Sequence, residues 1–325
     1  MKFENLVILM STYNGEYNGE HFIQEQLDSI IRQDYKTWNL LIRDDGSEDA
    51  TRSIIQKYEK MDPRISIFKD ADGNVGPKKS FLKMLTEVDA PIYMFADQDD
   101  IWHSYKVRQT VSWYQKHVKE PSEPTLVYTN MSTVDQNGNL LQKNVLPSDL
   151  RVSFVSSLVM NVVTGCTVLV NQSLANKVKL SDSDSIVMHD WWMALIARFS
   201  GNIFYLPVTT IDYRQHSNNA VGVGHSLKSR LNKVMNFGKL KEAFALQMKQ
   251  SNLLVTRINR TQLSDESNDL EEFIALEESG TFVSKFMWLI RHHVKKGTIV
   301  GTLSFYFLFL TSDNRLKKNR ARQGD

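Results

Sequence analysis

Ala90-Pro91-Ile92-Tyr93-Met94-Phe95-Ala96-Asp97-Gln98-Asp99-Asp100-Ile101-Trp102 is an apolar run of strand length that ends in three carboxylates. Carboxylates packed this closely repel one another and raise each other's pKa unless a cation shares their site. Hard oxygen ligands at a strand end suit Mg²⁺ or Mn²⁺, and Mg²⁺ commonly completes its shell with water and substrate phosphate oxygens. An isolated Asp-x-Asp also reads as a solvated turn ahead of a helix beginning near His103, so the rest of the chain has to separate the two.

Working outward, Leu6-Val7-Ile8-Leu9-Met10 runs into Ser11-Thr12-Tyr13-Asn14-Gly15, as a buried parallel strand leads into a polar loop. Trp38 to Arg43 reads as a second strand that ends in Asp44-Asp45-Gly46-Ser47-Glu48-Asp49-Ala50-Thr51. Ile65 to Phe68 reads as a third, ahead of Asp72-Gly73-Asn74-Val75-Gly76. Residues 22–31, 53–58 and 80–85 space their apolar side chains three or four apart, which predicts helices. The order β-α-β-α-β-α-β predicts a parallel sheet covered by helices, with ligands bound outside the carboxyl ends of its strands. Every polar cluster quoted lies at such an end, and together they are expected to share one crevice.

Four stretches in this order and spacing resemble the nucleotide-sugar domain of family 2 glycosyltransferases, inverting enzymes with the GT-A fold. They are Ser11 to Gly15, the Asp-Asp-Gly-Ser-x-Asp-x-Thr segment, Asn74-x-Gly76, and Asp97-x-Asp99-Asp100-x-Trp102. The resemblance covers at least residues 3–220 and implies an α/β fold: a mixed sheet sandwiched by helices, with a C-terminal helical appendage. Residues 1–225 are expected to form the catalytic domain and 226–325 the appendage. Met188-His189-Asp190-Trp191-Trp192, Tyr213-Arg214-Gln215-His216-Ser217-Asn218-Asn219 and Gly165-Cys166-Thr167 are similar to a bacterial rhamnosyltransferase subgroup. That subgroup uses dTDP-L-rhamnose and builds cell-wall, capsular or O-antigen polysaccharide on polyprenyl-diphosphate-linked saccharides.

The resemblance implies roles residue by residue. Thr12, Tyr13 and Asn14 face the nucleoside. Asp45 accepts the imide N–H of uracil or thymine; a turn residue in an Asp-Gly loop is the other reading of it. Asn74 and Gly76 precede a helix whose first turn carries Lys78 and Lys79, unfavourable for the helix dipole but suited to a diphosphate. A solvated helix start is the alternative there. Asp99 matches the metal-coordinating aspartate and Asp97 the one that contacts ribose or assists the metal, which makes Mg²⁺ or Mn²⁺ the expected cofactor. His216 resembles a histidine that completes the metal or diphosphate site, with Arg214 beside it on a diphosphate-facing loop. Gly165 and Cys166 lie along the path of the acceptor sugar.

Asp190 matches the base that takes the acceptor's proton, and it also suits the N-cap of the helix that follows. The family usually shows Glu-Asp where this chain has His189-Asp190. A second departure is the repeat of Tyr13-Asn14-Gly15-Glu16 as Tyr17-Asn18-Gly19-Glu20, which lengthens the first loop.

With 325 residues, 42% hydrophobic, the chain can bury a full core, and its single cysteine excludes an internal disulfide. The amino terminus shows no signal-peptide pattern, so the catalytic part is expected in the cytoplasm. The net charge of +2 and the absence of a nucleic-acid motif argue against a nucleic-acid partner. Beyond Ser226 the pattern is helical and basic. The apolar stretch Ile299 to Leu310 lies between cationic stretches 291–296 and 315–322 and is too short to span a bilayer. It reads as a monotopic helix on an anionic membrane surface, at the inner face of the cell membrane, or as a hairpin packed on the domain or on another subunit.

Three rival functions fit parts of this pattern. A hexosyltransferase using UDP-glucose, UDP-galactose or UDP-N-acetylglucosamine would keep every motif. A nucleotidyltransferase should carry a basic glycine-rich loop after the first strand, and Ser11 to Gly15 has no lysine or arginine. A non-catalytic nucleotide-sugar scaffold would bind without turnover.

Overall fold

β1 (Leu6–Thr12) is buried along almost its whole length because it runs through the middle of the sheet, between β2 (Trp38–Asp44) and β4 (Ile92–Ala96), parallel to both. Helices α1 (Phe22–Ile31), α2 (Thr51–Met61) and α3 (Gly76–Glu87) alternate with these strands and with the short β3 (Ile65–Ile67). The computed structural model describes residues 1–16, 21–179, 183–216, 237–257 and 265–312.

After β4 come β5 (Ile101–Trp102), α4 (Lys106–His117), β6 (Thr125–Asp135), β7 (Leu140–Gln142) and α5 (Phe154–Val159). They are followed by β8 (Val168–Asn171), α6 (Gln172–Val178), α7 (His189–Ser200) and β9 (Asn202–Gln215). The strand order is β3-β2-β1-β4-β8-β6-β9-β5, with β7 paired to β6. β3, β2, β1 and β4 are mutually parallel, whereas β8 runs antiparallel to both β4 and β6, so the sheet is mixed. Chain order reverses between β1 and β4, which makes the carboxyl ends of those two strands the switch point where α/β sheets bind ligands.

One face of the sheet buries alternate residues, Ile8 and Met10 on β1, Leu40 and Ile42 on β2, and Met94 and Ala96 on β4, against Ile23, Leu27 and Ile30 of α1. Burial of this apolar area, on the order of 1.5–3 kcal/mol for each large side chain, fixes the register that sets the strand ends level.

The chain divides into two compact units. The first comprises residues 1–150, 163–183 and 188–223 and carries the sheet. The second gathers residues 151–162, 184–187 and 224–325, so two short segments from before residue 225 belong with the C-terminal helices rather than with the sheet. Its described helices are α5, α8 (Phe237–Thr256), α9 (Asp265–Ser279), α10 (Phe282–Arg291) and α11 (Ile299–Thr311). Phe273 stacks on Trp288 at 5.1 Å and on Phe309 at 5.3 Å, and Gln247 Nε2 donates to the Leu158 carbonyl at 2.9 Å. The apolar stretch from Ile299 is therefore one arm of a packed helix pair. No described helix is long and apolar enough to cross a membrane.

Candidate active site

The acidic segment is held from two sides. Tyr13 N–H donates to Gln98 Oε1 at 2.7 Å and Gln98 Nε2 donates to the Tyr13 carbonyl at 3.0 Å, which ties the loop after β1 to the loop after β4. On the other side the segment runs into β5, which pairs antiparallel with β9, Ile101 opposite Asp212. That pairing brings the end of β9 onto the carboxylates. The Arg214 backbone N–H donates to Asp100 Oδ1 at 3.2 Å, its Nε to the Asp99 carbonyl at 2.9 Å, and its remaining nitrogens to the Gln136 carbonyl and the Glu25 carboxylate. His216, the next residue but one, places Nε2 2.7 Å from Asp99 Oδ2, with its ring 5.2 Å from that of Phe22.

Arg214 was expected on a loop facing a diphosphate. It lies instead on β9, 2% exposed, with its guanidinium 4.4 Å from the Phe22 ring, and it stiffens the acidic segment from behind.

Burial, then the charges of Asp99 and Asp190, push the Asp97 carboxyl up to about 7. Asp100 is fully buried and driven well above the usual carboxylate range, by burial first and then by Asp99 and Asp97. Its Oδ2 has no hydrogen-bond partner among the described residues. Ligand atoms of Asp97, Asp100 and the buried Cys166 lie within 4.8 Å of one another. Nearby lie two cationic groups, the Arg214 guanidinium, which bonds the Asp99 carbonyl, and Lys106, itself fully buried and lowered to about 8 by that burial. This excess of acid over base fits a divalent cation: Asp99 and His216 offer an oxygen and an imidazole nitrogen side by side at a partly exposed rim, where the carboxylate suits Mg²⁺ or Mn²⁺ and the imidazole favours the transition metal of the two.

Asp190 is the second residue of α7, whose N-cap is Met188, so it occupies the first turn rather than the cap. The helix's partial positive charge suits a carboxylate there. Oδ2 accepts the Gly165 N–H at 3.0 Å and Oδ1 its neighbour Trp191 N–H at 2.6 Å, which orients the carboxylate. Asp190 is close enough to Asp97 for their charges to oppose. His189, beside it, is 6% exposed, lies 4.6 Å from the Phe81 ring and 5.8 Å from the Phe95 ring, and has no partner for either nitrogen among the described residues. Burial lowers it to about 3, so the imidazole is neutral. A Cβ at Gly165 would stand 3.0 Å from His189 Nε2, so the glycine leaves that ring its room.

A glycosyl transferase family 2 model matches residues 7–179, over half of the chain. The chain belongs to glycosyl transferase family 2. It is 28% identical over 234 residues to the dTDP-rhamnosyl transferase RfbG of Shigella flexneri, covering 66% of this chain and 75% of that one. It is 29% identical over 171 residues to the UDP-Glc:alpha-D-GlcNAc-diphosphoundecaprenol beta-1,3-glucosyltransferase WfgD of Escherichia coli, covering 52% of this chain and 62% of that one. Among solved structures, S. aureus TarS 1-349 in complex with UDP-GlcNAc superposes with a TM-score of 0.57 at 13% identity, covering 97% and 92% of the two chains. This likeness shows the shared GT-A fold.

The residues that the resemblance assigns to the donor lie at the loop ends of β1 and β2 and in the turn before α3. Thr12 is buried, its hydroxyl 3.3 Å from Asp44 Oδ1, while Tyr13 is exposed. Asn14 adopts φ +47°, accepts from Glu48 N–H at 2.9 Å and donates its own N–H to Ser47 Oγ at 3.0 Å, locking the first two loops together. Asp45 is 2% exposed: it pairs with Arg43 and accepts the N–H groups of Val75 at 2.9 Å and Gly76 at 2.7 Å. Gly76 needs its glycine, at φ +79°, to open α3 from that turn. Asn74 is exposed and Lys79 half-buried beside it. Cys166, expected on the acceptor's path, is 1% exposed and faces the carboxylates instead. The second copy of the loop repeat, Tyr17 to Glu20, and Ser217, Asn218 and Asn219 lie outside the described residues.

Gln98, Asp44, Arg43 and Glu25 escaped the reading of the sequence. Gln98 sat in plain view within the acidic motif, as the one neutral side chain able both to donate and to accept.

Proposed function

We propose that this glycosyltransferase moves L-rhamnose from dTDP-L-rhamnose to a hydroxyl of a lipid-linked oligosaccharide, with inversion, in building a bacterial cell-surface polysaccharide. The observation that carries the reading is the convergence at one sheet edge of Asp97, Asp99 and His216 with Asp190, whose carboxylate is oriented by the Gly165 N–H. The sugar rests on the likeness to RfbG, and the lipid-linked acceptor on the name of WfgD.

Asp190 accepts the proton of the acceptor hydroxyl as that oxygen attacks the anomeric carbon, so a β-linked donor gives an α-linked product. Asp99 and His216 hold a divalent cation with help from Asp97, and such a cation, when bound, offsets charge on the departing diphosphate. Thr12, Tyr13 and Asn14 wall the nucleoside, and Asn74, Gly76 and Lys79 border the phosphates. Asp45, which the resemblance makes the acceptor of the base's imide N–H, is 2% exposed with its oxygens on Arg43 and the Val75 and Gly76 N–H groups, so in this state it shapes that wall through the Val75-Gly76 turn. A lipid-linked acceptor sets this work at the cytoplasmic face of the cell membrane.

Calorimetry of dTDP against UDP, followed by product analysis with dTDP-L-rhamnose, Mn²⁺ and a lipid extract, tests the assignment. The reading expects dTDP to bind at least about tenfold tighter, a gap of about 1.4 kcal/mol. Tighter UDP binding would replace rhamnose by a UDP-hexose, and absence of any transfer or hydrolysis would leave a scaffold.

A further inference from the structure

Each of two consecutive helices in the second unit buries one stripe and leaves an apolar stripe in solvent. On α10, Phe282, Phe286 and Ile290 are 61%, 42% and 50% exposed, while Trp288 and Leu289 are buried. On α11, Ile299, Leu303 and Phe307 are 81%, 62% and 53% exposed, while Phe305 and Phe309 are buried. Spacing of i, i+4, i+8 puts each set along one line of its helix. Scattered exposed apolar residues need no account, but two unbroken stripes on helices that pack together do.

We propose that these stripes are a docking face for an anionic lipid surface. Charge at the ends of the face argues for this occupant; the acidic residues of α9 belong to the helix behind it, where Phe273 stacks on the buried Trp288 and Phe309 and Glu272 pairs with Arg291. α11 carries no charged residue over its 13 positions, and the link between the helices exposes His293 and Lys295. Beyond Ser312 the chain continues, outside the described residues, with Arg315, Lys317, Lys318, Arg320 and Arg322 against only Asp313 and Asp325. An apolar helical face whose flanking sequence is cationic suits a helix lying in the headgroup layer of an acidic membrane. At about 1.5 Å per residue α11 is about 20 Å long, short of the roughly 30 Å of a bilayer core, so the face lies on the membrane rather than through it. The inference concerns the second unit alone and stands whichever sugar is moved.

The test is flotation of the full chain with phosphatidylcholine vesicles, with or without phosphatidylglycerol. Binding is expected with the anionic vesicles, weakened by salt, and the Phe286→Ser, Leu303→Ser double variant should bind at least about tenfold less. Both positions are solvent-exposed, so the fold is not at stake. As a second measurement, a polarity-sensitive dye on Leu303→Cys should shift to the blue with anionic vesicles, since the native Cys166 is only 1% exposed and shielded from labelling. Equal flotation of parent and variant, or an unmoved dye, would overturn the proposal. So would self-association in sedimentation that the same double variant abolishes, which would assign the face to a second copy of the chain.

Discussion

His216 Nε2 lies 2.7 Å from Asp99 Oδ2, although 117 positions separate the two residues. The β5–β9 pairing and the grip of Arg214 on the Asp99 carbonyl create that proximity. If the pair holds a cation jointly, Asp99→Asn and His216→Ala should each weaken Mn²⁺ binding by about tenfold or more. The double variant should lose less than the sum, because the side chains share one ligand. Titration of Mn²⁺ in the presence of dTDP measures this.

Asp190→Asn should lower kcat by about 10²–10⁴, the usual contribution of a general base, with donor affinity unchanged within about threefold. The asparagine keeps one oxygen for the Gly165 N–H and gives up the acceptor for the Trp191 N–H, so unfolding is measured beside turnover. Unchanged turnover would remove Asp190 from the chemistry.

Arg43 is 1% exposed and bonds both Asp45 and Asp70, so its loss strands two carboxylates. Arg43→Ala should destabilise the protein by about 3–5 kcal/mol, the cost of breaking a buried pair from one side. Urea unfolding gives the value, and a midpoint within error of the parent would contradict it.

The neutral, buried His189 should make the protein acid-sensitive. Its folded-state pKa is about 3, well below the value of about 6.5 for an unfolded histidine. Between these values the unfolded chain takes up a proton that the native one refuses, so stability is fully present above about pH 6.5 and declines as pH falls, by at most about 1.4 kcal/mol per unit. His189→Gln should shrink the difference between unfolding free energies measured at about pH 7.5 and about pH 5.

Local signals made the first half of the sheet legible. The runs at Leu6, Trp38 and Ile92 are continuous because those strands are covered on both faces, and each ends in a polar loop. β9 carries no clear strand signal in the sequence, because its buried and exposed positions alternate irregularly along 14 residues, with shifts in its register against β6. Long-range pairing is absent from any window of sequence, which is why Arg214 was assigned to a loop. The contacts of Gln98 and Asp45 were hidden for the same reason: each bonds backbone groups at least 30 positions away. The motifs single out Asp97, Asp99 and Asp190, and the structure gathers them because the carboxyl end of β4 meets the first turn of α7.

A divalent cation should relieve the crowding of Asp97, Asp99 and Asp100. Crystals grown with dTDP and Mn²⁺ and measured at the manganese edge would locate it. One anomalous peak is expected within ligand distance of Asp99 Oδ2, His216 Nε2 and the diphosphate oxygens. A bound dTDP with no peak there, and Asp99 turned away from the phosphates, would contradict it.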